Sequence, residues 1–139
     1  MAARVVRFAM PSRRDAVVPA VERVLRSARG AGLERGKLQD LAIAVAEALS
    51  NAAVHGNRLD PALSVQVSVR VRPGRVAVSV ADQGPGFDSG TVSDPTHPDR
   101  LLVPGGRGLL LMRKFADSVD YNEDGNSVRL TMRRRLRGR

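Results

Sequence analysis

The chain of 139 residues contains no cysteine, which excludes a disulfide framework, a zinc–thiolate site, an iron–sulfur cluster and a thiol nucleophile. Tryptophan is also absent and aromatic residues make up only 3% of the sequence, so we expect a core of valine, leucine and alanine. No apolar run approaches the roughly 20 residues that a membrane helix needs. The first residues lack the apolar stretch of a secretory signal, and we expect a cytoplasmic protein with no membrane partner.

The length and composition predict one folded domain over residues 1–139, with 42% hydrophobic and 27% charged residues. The net charge is +9, and five arginines lie within a basic tail at residues 133–139. Such a tail is either a solvated terminus or an electrostatic handle for an acidic protein or a nucleic acid. Because side chains that stack on bases are scarce, nucleic-acid binding is the weaker interpretation.

Hydrophobic periodicity predicts a strand over residues 4–10 and then two helices. Ser12, with Asp15 three residues later, has the spacing of a capping box and predicts the start of the first helix. The second helix is predicted over about residues 34–55, and Gly56 follows where a helix C-terminus favours glycine.

Two valine-rich segments, residues 63–72 and 76–80, alternate apolar and polar side chains around a Pro73-Gly74 turn. This alternation is typical of strands with one buried and one solvated face. A short helix and a closing hairpin are predicted after a long glycine- and proline-rich loop at residues 83–104. The expected fold class is α/β in the α+β sense: a two-layer sandwich whose mixed, mostly antiparallel sheet carries helices on one face.

Polar residues Glu47, Asn51 and His55 recur every four residues on the second helix and share one stripe. A polar stripe is most often a solvated helix face, but the small residues beside this one would let a ligand approach closely. Asp82 directly follows a strand and precedes glycines that bring backbone close to a ligand or form a simple turn. Further along, a glycine-rich segment opens a helix at residues 105–108, an arrangement that suits a phosphate group.

Taken in order, these segments resemble the GHKL ATPases, whose nucleotide-binding domain has the Bergerat fold. The resemblance is carried by E-A-L-S-N-A-A-V-H-G-N on a helix, D-Q-G-P-G-F after a strand, and G-G-R-G-L-L-L-M after the long loop. Within that superfamily, the short chain and the wording of the helix motif are similar to the anti-sigma-factor serine/threonine kinases of the RsbW type. The resemblance covers nearly the whole chain.

The resemblance implies ATP and Mg²⁺ as cofactors. It implies Glu47 as the general base, Asn51 as the Mg²⁺ ligand and Asp82 as the acceptor of a hydrogen bond from the adenine amino group. It implies that Gly84 and Gly86 line the adenine slot. Residues 88–104 correspond to the ATP lid and its phosphate-facing end is assigned to Gly106, Arg107 and Gly108. A late hydroxyl near the adenine falls at Ser127 or Thr131, and the sequence does not choose between them.

The implied function is an anti-sigma regulatory factor in transcription that phosphorylates a serine of an antagonist protein. Its implied partners are a sigma factor and that antagonist, and a homodimer is implied as well. The alternative is an ATP-binding regulatory module that switches a partner protein through its lid with little phosphotransfer. The phosphate loop departs from many GHKL members, because it lacks the additional glycine that they place two residues further on.

Overall fold

The computed structural model describes residues 3–84 and 106–135. Within these residues, five strands form one sheet in the order β1-β2-β3-β5-β4. The strands are β1 (Arg4–Pro11), β2 (Ser64–Arg72), β3 (Arg75–Ala81), β4 (Ser118–Tyr121) and β5 (Ser127–Arg133). All four pairings in the described part are antiparallel, so the predicted antiparallel sheet is confirmed and the expected mixed content is not found there.

In the described part of the chain, three α-helices pack on one face of this sheet: α1 (Val17–Ser27), α2 (Arg35–Ser50) and α3 (Gly106–Phe115). A single 3₁₀ turn, Arg14–Ala16, precedes α1, and α2 continues as a π-helical turn over Asn51–Gly56. This arrangement confirms the predicted two-layer sandwich. Within the described residues, no helix is long and apolar enough to cross a membrane.

The core lies between the helices and the inward face of the sheet, and it is aliphatic as predicted. The strictly alternating valines of β2 and β3 point inward and are buried, as are Met112, Leu130 and Met132. Phe8, Phe115 and Tyr121 are only partly buried and pack against the edge of this cluster. Valine suits such a sheet because its branched side chain packs well on a pleated surface.

The capping box predicted at Ser12 is wrong. Ser12 is buried, its hydroxyl donates a 2.7 Å hydrogen bond to the carbonyl of Leu63, and no side chain caps the helical turn that begins at Arg14. The hydrogen-bond partner of Ser12 is 51 residues away in the sequence, and local spacing cannot predict such a contact.

The first part of the basic tail is held by the hairpin between β2 and β3. The two strands join through the predicted Pro73-Gly74 turn, in which Gly74 has a φ of +76° that favours glycine. The Arg134 N–H donates to the Gly74 carbonyl, at 2.8 Å, and the Arg135 N–H donates to the Glu34 carboxylate. Up to Arg135 the tail is therefore part of the fold, and residues 136–139 lie outside the described residues.

Candidate functional site

The helix that carries Glu47 and Asn51 widens where the functional stripe was predicted. From Asn51 the backbone forms a π-helical turn, in which the Asn57 N–H reaches the Ala52 carbonyl at 2.8 Å. Glu47 and Asn51 remain one helical turn apart and are both partly buried. His55 lies in the wider turn and is exposed, unlike Glu47 and Asn51. Isolated π turns are frequent at functional sites.

Asp82 is the first residue after β3 and lies half-buried at the end of that strand. Its backbone N–H donates to the Asn126 carbonyl, and its Oδ1 accepts a 2.8 Å hydrogen bond from the Gly84 N–H. Burial raises the pKa of the Asp82 carboxyl above its ordinary value, and the hydrogen bond from Gly84 opposes this shift only in part. The result is a carboxylate fixed in orientation and partly shielded from water.

Two glycines form a cradle around this carboxylate. A Cβ atom on Gly56 would collide with the carboxyl group of Asp82, and a Cβ atom on Gly84 would collide with the Gly56 carbonyl. Gly56 is needed for this close approach and not for a left-handed helix end, since its φ is not in the positive region. The π turn, the end of β3 and the loop at Gly84 are therefore in direct contact.

Asn57 holds the same corner together and was missed by the sequence argument. The side chain is buried, its Nδ2 donates to the Ser12 hydroxyl and the Ser64 carbonyl, and its Oδ1 accepts from the Gln83 N–H at 2.8 Å. One amide thereby joins the end of the π turn to β2 and to the segment after Asp82. The only available signal was its place in the helix motif, directly after Gly56, where an asparagine also reads as an ordinary turn residue.

One ion pair indicates the direction in which α3 runs along α2. Lys37, in the first turn of α2, makes a 2.7 Å salt bridge with Asp117, which follows α3. Since α3 also packs against α2, we infer that the two helices are antiparallel. At about 1.5 Å per residue, the start of α3 then lies about 15 Å further along α2, at the level of Glu47 and Asn51.

The structure places Asp82 and Gly84 against Gly56, in the π turn that continues the helix carrying Glu47 and Asn51. Gly106, Arg107 and Gly108 form the first turn of α3, whose free N–H groups face the end of the helix. Gly86 and the predicted lid at residues 88–104 lie outside the described residues.

The late hydroxyl expected at Ser127 or Thr131 stays a prediction. Ser127 and Thr131 pair with Ala81 and Ala77 at outward register positions, where Ser127 is partly buried and Thr131 is buried. Tyr121 lies opposite inward-facing Val128 and is partly buried. Burial, aided by the charge of Asp82 and opposed by Arg113, raises the pKa of Tyr121 to about 12.

The sequence that builds this arrangement matches a known family. Residues 10–132 match the histidine kinase-like ATPase domain, and the chain belongs to this family. The curated relatives include a serine-protein kinase RsbW of Bacillus licheniformis, 37% identical over 108 residues, which cover 72% of this chain and 67% of the relative. The RsbW of Bacillus subtilis is 35% identical with the same coverage, and an anti-sigma F factor of Clostridium perfringens is 26% identical over 103 residues.

The fold also resembles a solved structure. The crystal structure of the RsbU and RsbW domains of a Mycobacterium tuberculosis protein matches with a TM-score of 0.59 and 16% identity, over 96% of this chain. This chain spans about a third of that protein, 32% of its length, and the likeness shows the fold alone.

Proposed function

We propose that this chain is an ATP-dependent serine/threonine protein kinase of the anti-sigma type, which phosphorylates a serine of an antagonist protein. The observation that carries the proposal is the cradle in which Gly56 and Gly84 hold the Asp82 carboxylate against the helix bearing Glu47 and Asn51. Family membership and the names of the relatives support the same activity.

The hydrogen-bonding groups present at the site suit an adenine nucleotide. Asp82 has one oxygen engaged by the Gly84 N–H, which leaves the other free to accept from an exocyclic amino group. An adenine amino group donates there, whereas the corresponding guanine oxygen would face a carboxylate. Gly84 and Gly86 are the proposed walls of the slot, because residues without side chains let the ring approach the backbone.

The phosphates are proposed to lie at the other end of the site. Glu47 is nine residues before Gly56, a separation of about 13 Å along the helix that suits a nucleotide bound lengthwise. Gly106, Arg107 and Gly108 would hold the phosphates at the helix N-terminus, where N–H groups and the helix dipole favour anions.

Asn51 fits Mg²⁺, because an amide oxygen is a hard neutral ligand and the ion keeps phosphate and water ligands when it binds with a nucleotide. When bound, Mg²⁺ supplies charge neutralisation to the phosphates. Glu47, one turn away, is proposed to take the proton of the acceptor serine. We propose the lid at residues 88–104, the single domain, the homodimer and the sigma-factor partner on the family resemblance.

Calorimetric titration with ATP and Mg²⁺ tests the binding site. We expect Asp82→Asn to weaken ATP binding at least about tenfold, since the amide N–H₂ and the adenine amino group would be two donors facing each other. Asp120→Asn, which makes the same change on an exposed strand position, is the matched control and should leave affinity unchanged. GTP should bind weakly to all three proteins. A wild-type protein that does not bind ATP up to millimolar concentration contradicts the proposal.

Phosphotransfer separates the kinase from the alternative regulatory module. Glu47→Gln should keep ATP affinity while transfer of the γ-phosphoryl group to an antagonist protein falls by about 100-fold or more. Glu22→Gln, an exposed glutamate of α1, is the control. If wild type binds ATP and regulates its partner without measurable transfer, and Glu47→Gln regulates it equally well, the module is correct and the kinase is not.

A further inference from the structure

The face of the sheet that carries no helices is lined by arginines. Five exposed arginines of β1, β2, β3 and β5 surround an open depression of about 270 Å³: Arg7, Arg70, Arg72, Arg75 and Arg129. Its floor is made of small residues, chiefly Ser68, Ala77 and Ser79. We call this surface the arginine face.

The arginine face makes no salt bridge within the described part of the chain. The salt bridges found there join Arg13 to Asp15 and Lys37 to Asp117, and none involves these five arginines. Asp120 is the acidic residue at the outward positions of the described strands; it lies directly opposite Arg129, and no salt bridge joins the two. The other four arginines face no carboxylate across the sheet, so most of the positive charge of the face is uncompensated in the described part of the chain.

The arrangement is unfavourable for the sheet itself. Arg75 lies directly opposite Arg72 on one side and Arg133 on the other, which sets three positive charges in one row. Like charges directly opposite each other destabilise a sheet. Within the described residues, the five arginines are neither buried nor engaged in salt bridges, so they do not stabilise the fold. Their charge is available to bind another molecule.

The shape of the face suits a helix. Arg7 and Arg129 stand in one register row, separated by Ser68 and Ser79. Three strand spacings place the two arginines about 14 Å apart. The floor between them is low in this row, whereas Arg70, Arg72 and Arg75 stand further along the same middle strands, β2 and β3. An α-helix is about 10–12 Å across, so it can lie on the floor with an arginine at each flank. Acidic side chains on both flanks of such a helix would meet guanidinium groups that bind carboxylates in bidentate pairs.

We propose that the arginine face docks an acidic amphipathic helix of a partner protein. A nucleic acid is disfavoured because the outward positions of the described strands carry no aromatic residue on which a base could stack. A second copy of this chain is disfavoured because two such faces repel each other. The surface is distinct from the nucleotide site, which lies on the helix side, so the inference stands whether or not the protein is a kinase.

Fluorescence anisotropy with a labelled peptide tests this docking. The probe is a synthetic 18-residue helix, about five turns long, with glutamates on both flanks of an alanine stripe. We expect it to bind the full chain, and to bind at least about tenfold more tightly than a peptide of equal charge with two central alanines replaced by proline, which breaks the helix.

Two matched triple variants locate the binding. The first triple variant combines Arg7→Gln, Arg70→Gln and Arg129→Gln. It should weaken binding of the helical peptide about tenfold, since each exposed ion pair contributes roughly twofold to the affinity. Arg14→Gln, Arg26→Gln and Arg35→Gln remove the same charge from exposed positions outside the sheet and should change affinity less than about twofold. Thermal unfolding of both triples checks that they are folded.

Four results would overturn the proposal. The helical peptide could fail to bind wild type, or the two peptides could bind equally well. The two triple variants could lose the same affinity, or a DNA duplex could bind more tightly than the peptide and lose this binding in the arginine-face triple. Sedimentation of wild type adds a fifth: a dimer that dissociates in the same triple would show that a second copy occupies the face.

Discussion

The two sides of the sheet are made by the same strands, residue by residue, yet their chemistry is opposite. On the helix side, inward residues such as Val69, Val78 and Leu130 are completely buried. On the open side, their neighbours in sequence include Arg70 and Arg129, which are exposed. Because side chains alternate, those on the helix side stabilise the fold by burial. Those on the open side do not, and this side can carry charges that the fold does not need.

Polar groups on the two sides differ in the same way. Where the helices meet the sheet, polar side chains are paired: Asn57 makes three hydrogen bonds and Asp117 accepts from both Lys37 and the Arg133 N–H. On the open side of the described strands, the arginines line up without a salt bridge, and Asp120, opposite Arg129, is the one carboxylate among them. A paired group stabilises the fold, whereas an unpaired cluster points to an external partner.

The largest expected effect separates two neighbours on β5. Leu130→Ala should lower the free energy of unfolding by about 3 kcal/mol, because it leaves a cavity in the core. Arg129→Ala, one residue away on the open side, should change it by no more than about 0.5 kcal/mol. Urea denaturation of both variants measures the difference. Similar losses in the two would show that the open side also carries the stability of the fold.

The next largest effect concerns Asn57. Asn57→Ala should destabilise the protein by about 2 kcal/mol, because the Ser64 carbonyl and the Gln83 N–H lose their buried partner. Asn126→Ala removes a partly exposed asparagine that makes one side-chain hydrogen bond, and serves as the control. Asn57→Ala should also weaken ATP binding and speed hydrogen exchange of the Gly84 amide. Unchanged exchange would mean that Asn57 does not position the segment beside Asp82.

A smaller effect, with a pH signature, is expected at the salt bridge between α2 and the end of α3. Burial acts to raise the pKa of Asp117, but hydrogen bonds from Lys37 and the Arg133 N–H and their charges outweigh it and lower that pKa below 3.8. A lowered pKa stabilises the fold above pH 3.8, and this contribution is lost as the pH falls through the shifted value. Lys37→Met should therefore cost about 1 kcal/mol at neutral pH and progressively less in acid.

Arg13→Met breaks the exposed pair with Asp15 and is the control for that measurement. It should change stability little at any pH, because both side chains of that pair are largely solvated. A loss for Lys37→Met that persists unchanged at low pH would assign the effect to packing of the lysine stem and not to the pair.

The smallest effect has the opposite sign. Arg75→Gln removes the middle charge of the row formed with Arg72 and Arg133, and should stabilise the protein by about 0.3–0.5 kcal/mol at low salt. The gain should vanish near 1 M salt, where the screening length is about 3 Å. Arg26→Gln on α1 should show no such gain. Destabilisation of Arg75→Gln at low salt would mean that the arginine row contributes to the fold.

Most of the fold could be predicted because it depends on local regularities. The valine alternation indicated β2 and β3, and the Pro73-Gly74 turn joined them as an antiparallel hairpin. Helix periodicity located the two long helices to within a few residues. The capping role predicted for Ser12 failed because its partner, Leu63, is supplied by a distant part of the chain.

The candidate site was predicted in its parts but not in its assembly. Asp82 and Glu47 were singled out from their local settings, yet the contact between Asp82 and Gly56 depends on the π turn, which moves the end of α2. Asn57 and Tyr121 were missed because neither is unusual in its local sequence. An asparagine after a glycine is typical of a turn, and a lone tyrosine does not indicate a site. Their roles follow only from the groups that the fold places beside them.

The sequence by itself determined which apolar residues form the core, which segments are strands and helices, and which side of each strand faces the core, because side-chain periodicity is a property of neighbouring positions. The tertiary structure decided which distant groups meet: Asn57 with Ser12 and Gln83, and Arg75 with Arg133. Such contacts depend on strand order and register, which no local pattern encodes. The same dependence turns scattered arginines into one charged face.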